Sequence, residues 1–218
     1  MTKYQKLFYE IKKTNDYKTV GEDIQYKVSV NHDTREVILQ FEESRNSDDI
    51  WHSDWFHNLM FFPWPLKLNN KIVWTTFGYA CAYKSAGNLP IDEFEKATNE
   101  YWDYKWIIRG WSFGSAMTKI AERHFYIRRN AAIDEELTYG DVKVWINPFV
   151  YFLSKKWHKE CHNFCCINDL VTWTIPFFFR HKKCSVGGRL SLKNLFKTEY
   201  NHTHYEEYDY SEYECEQI

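Results

Sequence analysis

Proline and glycine are scarce, at five and eight of 218 residues. That excludes collagen-like and flexible low-complexity architectures. No Pro/Gly/Ser-rich tract divides the chain, so one domain over residues 1–218 is expected, long enough for a single sizeable core. Cysteine is limited to six residues, too few for a disulfide scaffold, and reduced, buried thiols are expected. No run approaches the roughly 20 apolar residues that a membrane-crossing helix needs. The N-terminal MTKYQKLFYEIKK lacks the apolar stretch of a signal peptide. A cytoplasmic location is the expectation, with release by lysis or a non-classical route left open. Excess positive charge is missing as well: 28 Lys and Arg stand against 30 Asp and Glu. Binding along a phosphate backbone needs clustered cation, so no nucleic-acid partner is expected.

What the chain has in quantity is aromatic surface, 19% of residues, within an ordinary balance of 44% hydrophobic and 27% charged residues. Such a composition suits a globular protein with a packed core. Residues 1–30 are polar and weakly periodic and read as an N-terminal extension holding one short helix, Gln5 to Lys13. Arg35 to Phe41 (REVILQF) reads as a buried strand. Residues 42–70 look irregular, and Lys71 to Thr75 is a further short strand. Gly78 to Ser85 and Asp92 to Tyr101 have helical character. Tyr104 to Arg109 is a strand and Ser112 to Arg128 a helix with apolar spacing through Met117, Ile120, Ala121 and Phe125. Val142 to Ile146 and Phe164 to Ile167 complete the set of strands. Residues 206–218 form an acidic aromatic tail. Strands alternating with helices imply parallel pairing through crossovers, hence an α/β fold.

The segment Lys105-Trp-Ile-Ile-Arg-Gly-Trp-Ser-Phe-Gly-Ser-Ala carries the pattern G-x-S-x-G at Gly110, Ser112 and Gly114. A serine on a sharp strand-to-helix turn has strained backbone angles, and small residues two positions away on each side relieve the crowding. The turn lifts the hydroxyl above the sheet edge, beside a helix N-terminus that favours developing negative charge. Here the pattern follows an apolar strand and opens a helix, as the motif requires. The bland alternative is an N-capping serine in a glycine-rich turn. A serine nucleophile needs a base and an orienting acid, and in this class of fold the chain order is Ser, Asp or Glu, then His. Asp169 lies just past the strand ending at Ile167, at the carboxyl edge where such sites form. Asp134 and Asp141 are poorer candidates. His202 and His204 follow near the C-terminus, and either fits as the base.

These features resemble the class 3 (fungal-type) lipases of the α/β-hydrolase superfamily, from about residue 35 to about 208. The family elbow Gly-His-Ser-Leu-Gly-Gly-Ala is matched by Gly110-Trp111-Ser112-Phe113-Gly114-Ser115-Ala116. A strand ending before a proline is matched by Trp145-Ile146-Asn147-Pro148. The Asn-x-x-Asp-x-Val-Pro segment of the family acid is matched in part by Ile167-Asn168-Asp169-Leu170-Val171 and Pro176. The family histidine is often followed three residues later by tyrosine, which favours His202, with Tyr205, over His204. The resemblance implies a single α/β-hydrolase domain with a mostly parallel central sheet flanked by helices. It also implies hydrolysis of a lipid or other apolar ester through an acyl-enzyme, a place in lipid metabolism, and no metal or organic cofactor. Its oxyanion hole falls on the N–H of Phe113 and on Ser44, within Glu42-Glu43-Ser44 where the family has Phe-Arg-Gly-Thr. Two carboxylates there oppose a forming oxyanion, since like charges about 4 Å apart repel by about 4 kcal/mol at an effective dielectric of about 20. A binding or interaction module on the same fold, catalytically weak or inactive, is the alternative that Glu42-Glu43 motivates.

Two further groups stand out. His158, Cys161, His162, Cys165 and Cys166 have spacings that invite zinc, but a closed site needs four convergent ligands, and adjacent strand residues point to opposite faces. Buried thiols are the expectation. The aromatic stretch Trp51 to Trp64 and Phe177-Phe178-Phe179 read first as core packing. Second, they read as walls of an acyl pocket or as transient membrane-surface contacts.

Overall fold

A computed structural model of the chain describes residues 1–21, 24–42, 62–173, 178–180, 184–186, 197–210 and 213. Among these residues the main sheet has seven strands: β1 (Lys18–Val20), β2 (Ile24–Asn31), β3 (Glu36–Phe41), β6 (Lys105–Trp111), β7 (Ile133–Tyr139), β8 (His158–Cys166) and β9 (Cys184–Val186), in that spatial order. β1, β2 and β3 pair antiparallel. From β3 through β9 every pairing is parallel. A separate hairpin, β4 (Pro63–Leu68) with β5 (Lys71–Thr76), stands apart from this sheet. Among the described residues the α-helices are α1 (Lys3–Lys13), α2 (Phe77–Ser85), α3 (Leu89–Glu100), α4 (Phe113–Arg129), α5 (Val150–Ser154) and α6 (Thr198–Thr203). Among the described residues, no helix is long and apolar enough to cross a membrane.

The central strands are hydrophobic because both of their faces are covered. In β3, Val37, Leu39 and Phe41 are fully buried and Ile38 nearly so. Each such side chain contributes about 1.5–3 kcal/mol by leaving water. One core, on the side of α3 and α4, joins Val37, Leu39 and Phe41 to Phe94, Met117, Ile120 and Phe125. The other packs α1 against the opposite face through Tyr4, Phe8 and Ile11, with Trp111, Tyr139, Phe164 and Tyr205. α1 begins in a capping box, Thr2 with Gln5, which satisfies two backbone donors that a helix start leaves open.

Several expected elements shift. Lys18–Val20 and Ile24–Asn31 belong to the main sheet as β1 and β2, so they are integral to it; mixed Lys, Gln and Ser positions in IQYKVSVN blur its alternation. Residues 63–68 form a strand where irregular chain was expected. The strand expected at Val142 to Ile146 is corrected: β7 is Ile133–Tyr139, and within 142–146 Trp145 makes an isolated bridge to Phe179. IDEELTY reads poorly as a buried strand because Glu135 and Glu136 are charged. Both are nonetheless buried, Glu135 against Lys105 at 2.5 Å and Glu136 against the His158 imidazole at 3.4 Å. Pairing offsets part of the penalty that the sequence alone suggests. At the far end, Tyr210 of the expected tail is buried and donates to the Tyr205 carbonyl.

Candidate active site

β6 ends at Trp111 and α4 begins at Phe113, leaving Ser112 alone at the turn with φ 56° and ψ −120°. A non-glycine residue in that region carries strain of about 1–3 kcal/mol and persists only where its surroundings hold it. They do so on both sides. The Ser112 N–H donates to the Tyr139 carbonyl at 2.9 Å, and its own carbonyl accepts from Ser115 N–H at 2.9 Å. The serine makes no side-chain cap to α4, so the N-cap alternative fails. The two glycines answer to close approach. A Cβ on Gly110 would lie 2.6 Å from the Gly114 carbonyl carbon. One on Gly114 would lie 2.6 Å from the Phe41 carbonyl oxygen and 2.7 Å from that of Glu42. Bare Gly114 thus lets the end of β3 lie directly over the first turn of α4.

Ser112, Asp169 and His202 come together. His202 Nε2 lies 2.6 Å from Ser112 Oγ, and His202 Nδ1 lies 2.6 Å from Asp169 Oδ2. Asp169 follows β8 at the carboxyl end of the sheet, and His202 belongs to α6. The carboxylate is fully buried and His202 almost so. Asp169 Oδ1 accepts from Val171 N–H at 2.9 Å. Oδ2 also accepts from the Tyr205 hydroxyl at 3.3 Å, which in turn accepts from Cys166 N–H at 2.8 Å. An acid held this way acts as acceptor to Nδ1–H, leaving Nε2 free to accept from the serine hydroxyl.

His204 lies apart from this chain of contacts. Its Nδ1 meets Thr203 Oγ1 at 2.8 Å and the Tyr200 carbonyl at 3.1 Å, and its ring stacks on Tyr200 with centroids 4.0 Å apart. Asp134 is committed to Lys159 and to Trp106 N–H, at 2.6 and 2.7 Å. Asp141 is in contact with the buried Lys119 ammonium. Phe113, as the first residue of α4, has an N–H with no intrahelical acceptor, which suits an oxyanion donor. Glu42 is half-buried and its N–H donates to the Gln25 carbonyl at 3.0 Å. Glu43 and Ser44 lie outside the described residues, as do Trp51 to Phe61 and Phe177.

Gly140 is a site residue that sequence reasoning missed. Its φ is +56°, and a Cβ there would sit 2.8 Å from His202 Cε1. The signal was available: a glycine directly after a strand at the edge where the acid and base also lie. The cysteines divide. Cys165 and Cys166 are buried as expected, whereas His158 and Cys161 meet Glu136. Among the described residues, a cleft of about 480 Å³ lies beneath the β4–β5 hairpin, lined by Trp64, Leu66, Phe77, Tyr83 and His124 among others. No member of the Ser112 cluster lines it.

The sequence model described as Lipase (class 3) matches residues 46–179, more than half of the chain. The chain belongs to the class 3 lipase family. Its fold, an α/β-hydrolase fold, is similar to solved structures of fungal lipases. A fungal lipase in an inhibitor complex matches at 17% identity and TM-score 0.63, over 78% of this chain and 65% of that one. The Rhizomucor miehei triacylglyceride lipase matches at 18% identity and TM-score 0.62, over 79% of this chain and 67% of that one. Lipase II from Rhizopus niveus matches at 18% identity and TM-score 0.61, over 75% and 61%. This class 3 lipase family member thus spans about two thirds of the length of these fungal proteins. No curated protein sequence matches it.

Proposed function

We propose that this class 3 lipase family member is a serine carboxylic-ester hydrolase. Ser112 is the nucleophile, His202 the general base and then general acid, and Asp169 the group that orients and stabilises the imidazole. The observation that carries the reading is the unbroken relay from Asp169 Oδ2 through His202 to Ser112 Oγ, with both contacts at 2.6 Å. His202 takes the hydroxyl proton as Oγ attacks the ester carbonyl. It then returns that proton to the departing alkoxide, leaving an acyl-serine that water, activated by the same imidazole, hydrolyses. The Phe113 N–H and the start of α4 face the oxygen that gains charge, with Ser44 as the second donor.

An apolar ester is the proposed substrate class. Trp173, four residues past Asp169, is 47% exposed, and Trp74 and Phe149 are exposed at 49% and 64%. Rings offered to solvent suit an acyl chain or a lipid surface better than a polar substrate. The test is hydrolysis of short and long acyl esters by purified wild-type chain and Ser112→Ala. Loss of at least about a thousandfold in kcat, with circular dichroism unchanged, is expected. Hydrolysis that survives the substitution overturns the reading.

A further inference from the structure

On the face of the sheet covered by α4, a second cluster of reactive side chains is assembled. Glu136 of β7 and Cys161 of β8 are direct neighbours in the parallel register. His158 opens β8, and Glu122 reaches down from the third turn of α4. His158 Nδ1 lies 3.4 Å from Glu136 Oε2, and Cys161 Sγ lies 3.9 Å from the same oxygen. The donor atoms of Glu136, His158 and Cys161 all lie within 4.8 Å of one another, and Glu122 Oε1 is in contact with His158 Nδ1. Both carboxylates are fully buried, and His158 is 8% exposed.

We infer that Glu122, Glu136, His158 and Cys161 form a closed, four-ligand site for a divalent transition metal, with zinc the ion that suits them best. Zinc takes nitrogen and oxygen ligands at about 2.0–2.2 Å and thiolate at about 2.3 Å, so the edges of its tetrahedron span about 3.3–3.7 Å. The 3.4 Å and 3.9 Å separations lie at or close to those edges. Glu136, His158 and Cys161 draw together from within 4.8 Å, and Glu122, in contact with the imidazole, turns away from it to take the fourth vertex. A thiolate and an imidazole among the donors select zinc over calcium or magnesium, which favour oxygen alone.

The surroundings of the sulfur fit a ligand. Asn163 Nδ2 donates to Cys161 Sγ at 3.1 Å. Thr138 donates its hydroxyl to Asn163 Oδ1 at 2.6 Å, which fixes the amide with its NH2 toward the sulfur. Outer donors of this kind orient metal ligands and stabilise a thiolate. As the sulfur–metal bond forms, the thiol proton leaves to solvent. Four protein ligands leave no open position, so the ion is structural. Glu122 lies ten residues along α4 from Ser112, about 15 Å at 1.5 Å per residue. The metal would lock the elbow helix onto β7 and β8 without touching the ester.

The test uses the full untagged chain. After expression with zinc in the medium and gel filtration, elemental analysis should find about one zinc per chain. Cys161→Ser and Glu122→Gln should each reduce that by at least about fivefold. Chain refolded with Co²⁺ under reducing conditions should show a near-ultraviolet thiolate-to-cobalt absorption band. Cys165→Ser should keep the band and Cys161→Ser should lose it. Wild-type chain that purifies without metal and refolds with Co²⁺ to give no such band overturns the proposal, whether or not the variants fold. Zinc retained in full by both Cys161→Ser and Glu122→Gln overturns it as well. Neither outcome bears on Ser112, whose ester hydrolysis is assayed separately.

Discussion

The indole N–H of Trp111 donates to the backbone carbonyl of His202 at 3.0 Å, so the strand that ends at Ser112 also holds the segment carrying its partner histidine. Trp111 is the x of G-x-S-x-G, and its ring packs edge-on against Phe8 of α1. Trp111→Phe keeps most of the ring and removes the donor, leaving the His202 carbonyl without it. A hydrogen bond of this kind contributes about 1 kcal/mol. The expected effect is a fall in kcat of about fivefold with little change in KM, read from steady-state hydrolysis. A change in KM alone would show that Trp111 serves substrate binding instead.

Gly140 is expected to be intolerant of any side chain. Its positive φ and the 2.8 Å approach to His202 Cε1 mean that Gly140→Ala must move either the turn or the imidazole. Displacement of a catalytic group by about 1 Å costs about a hundredfold in rate. Hydrolysis should fall by that order while the chain still folds, as judged by circular dichroism. Wild-type rates in Gly140→Ala would show that His202 can sit elsewhere.

Tyr205 links the acid to the backbone. Its buried hydroxyl donates to Asp169 and accepts from Cys166 N–H. Tyr205→Phe removes both contacts and is expected to cost about 1–3 kcal/mol of stability, measured from urea midpoints. It should also slow hydrolysis through a less firmly held Asp169, with KM preserved. Unchanged stability and rate would show that the hydroxyl has no part in holding the acid.

A pH effect on stability is expected from His124, remote from Ser112. Burial, with Arg128 adding to it, lowers the imidazole from 6.5 to about 4, and Tyr83 meets its Nδ1 at 3.1 Å. The unfolded chain then takes up this proton before the folded chain does. Stability is therefore present above about 6.5 and lost as pH falls toward 4. His124→Gln should flatten that part of the curve of urea midpoint against pH. A curve identical to wild type would assign the acid sensitivity to other groups.

Much of the site was legible because it rests on local chemistry. Gly110, Ser112 and Gly114 announce a turn by their spacing, and Asp169 betrays itself by following a strand. The choice between His202 and His204 was not local: two residues apart, they differ in whether the ring reaches Asp169 or stacks on Tyr200. β1 and β2 were hidden by mixed polarity, and β7 by Glu135 and Glu136. Their burial depends on Lys105 and His158, partners distant in sequence. The same distance in sequence concealed the meeting of Glu122 and Glu136 with His158 and Cys161.

Activation of Ser112 is read most directly by covalent labelling with a fluorophosphonate, followed by peptide mass spectrometry. An activated serine attacks phosphorus and retains the adduct, whereas a structural hydroxyl does not. A single adduct is expected on the peptide carrying Ser112, absent in Ser112→Ala and strongly slowed in His202→Ala. No adduct on folded wild-type chain, or an adduct on another serine that persists in Ser112→Ala, would contradict it.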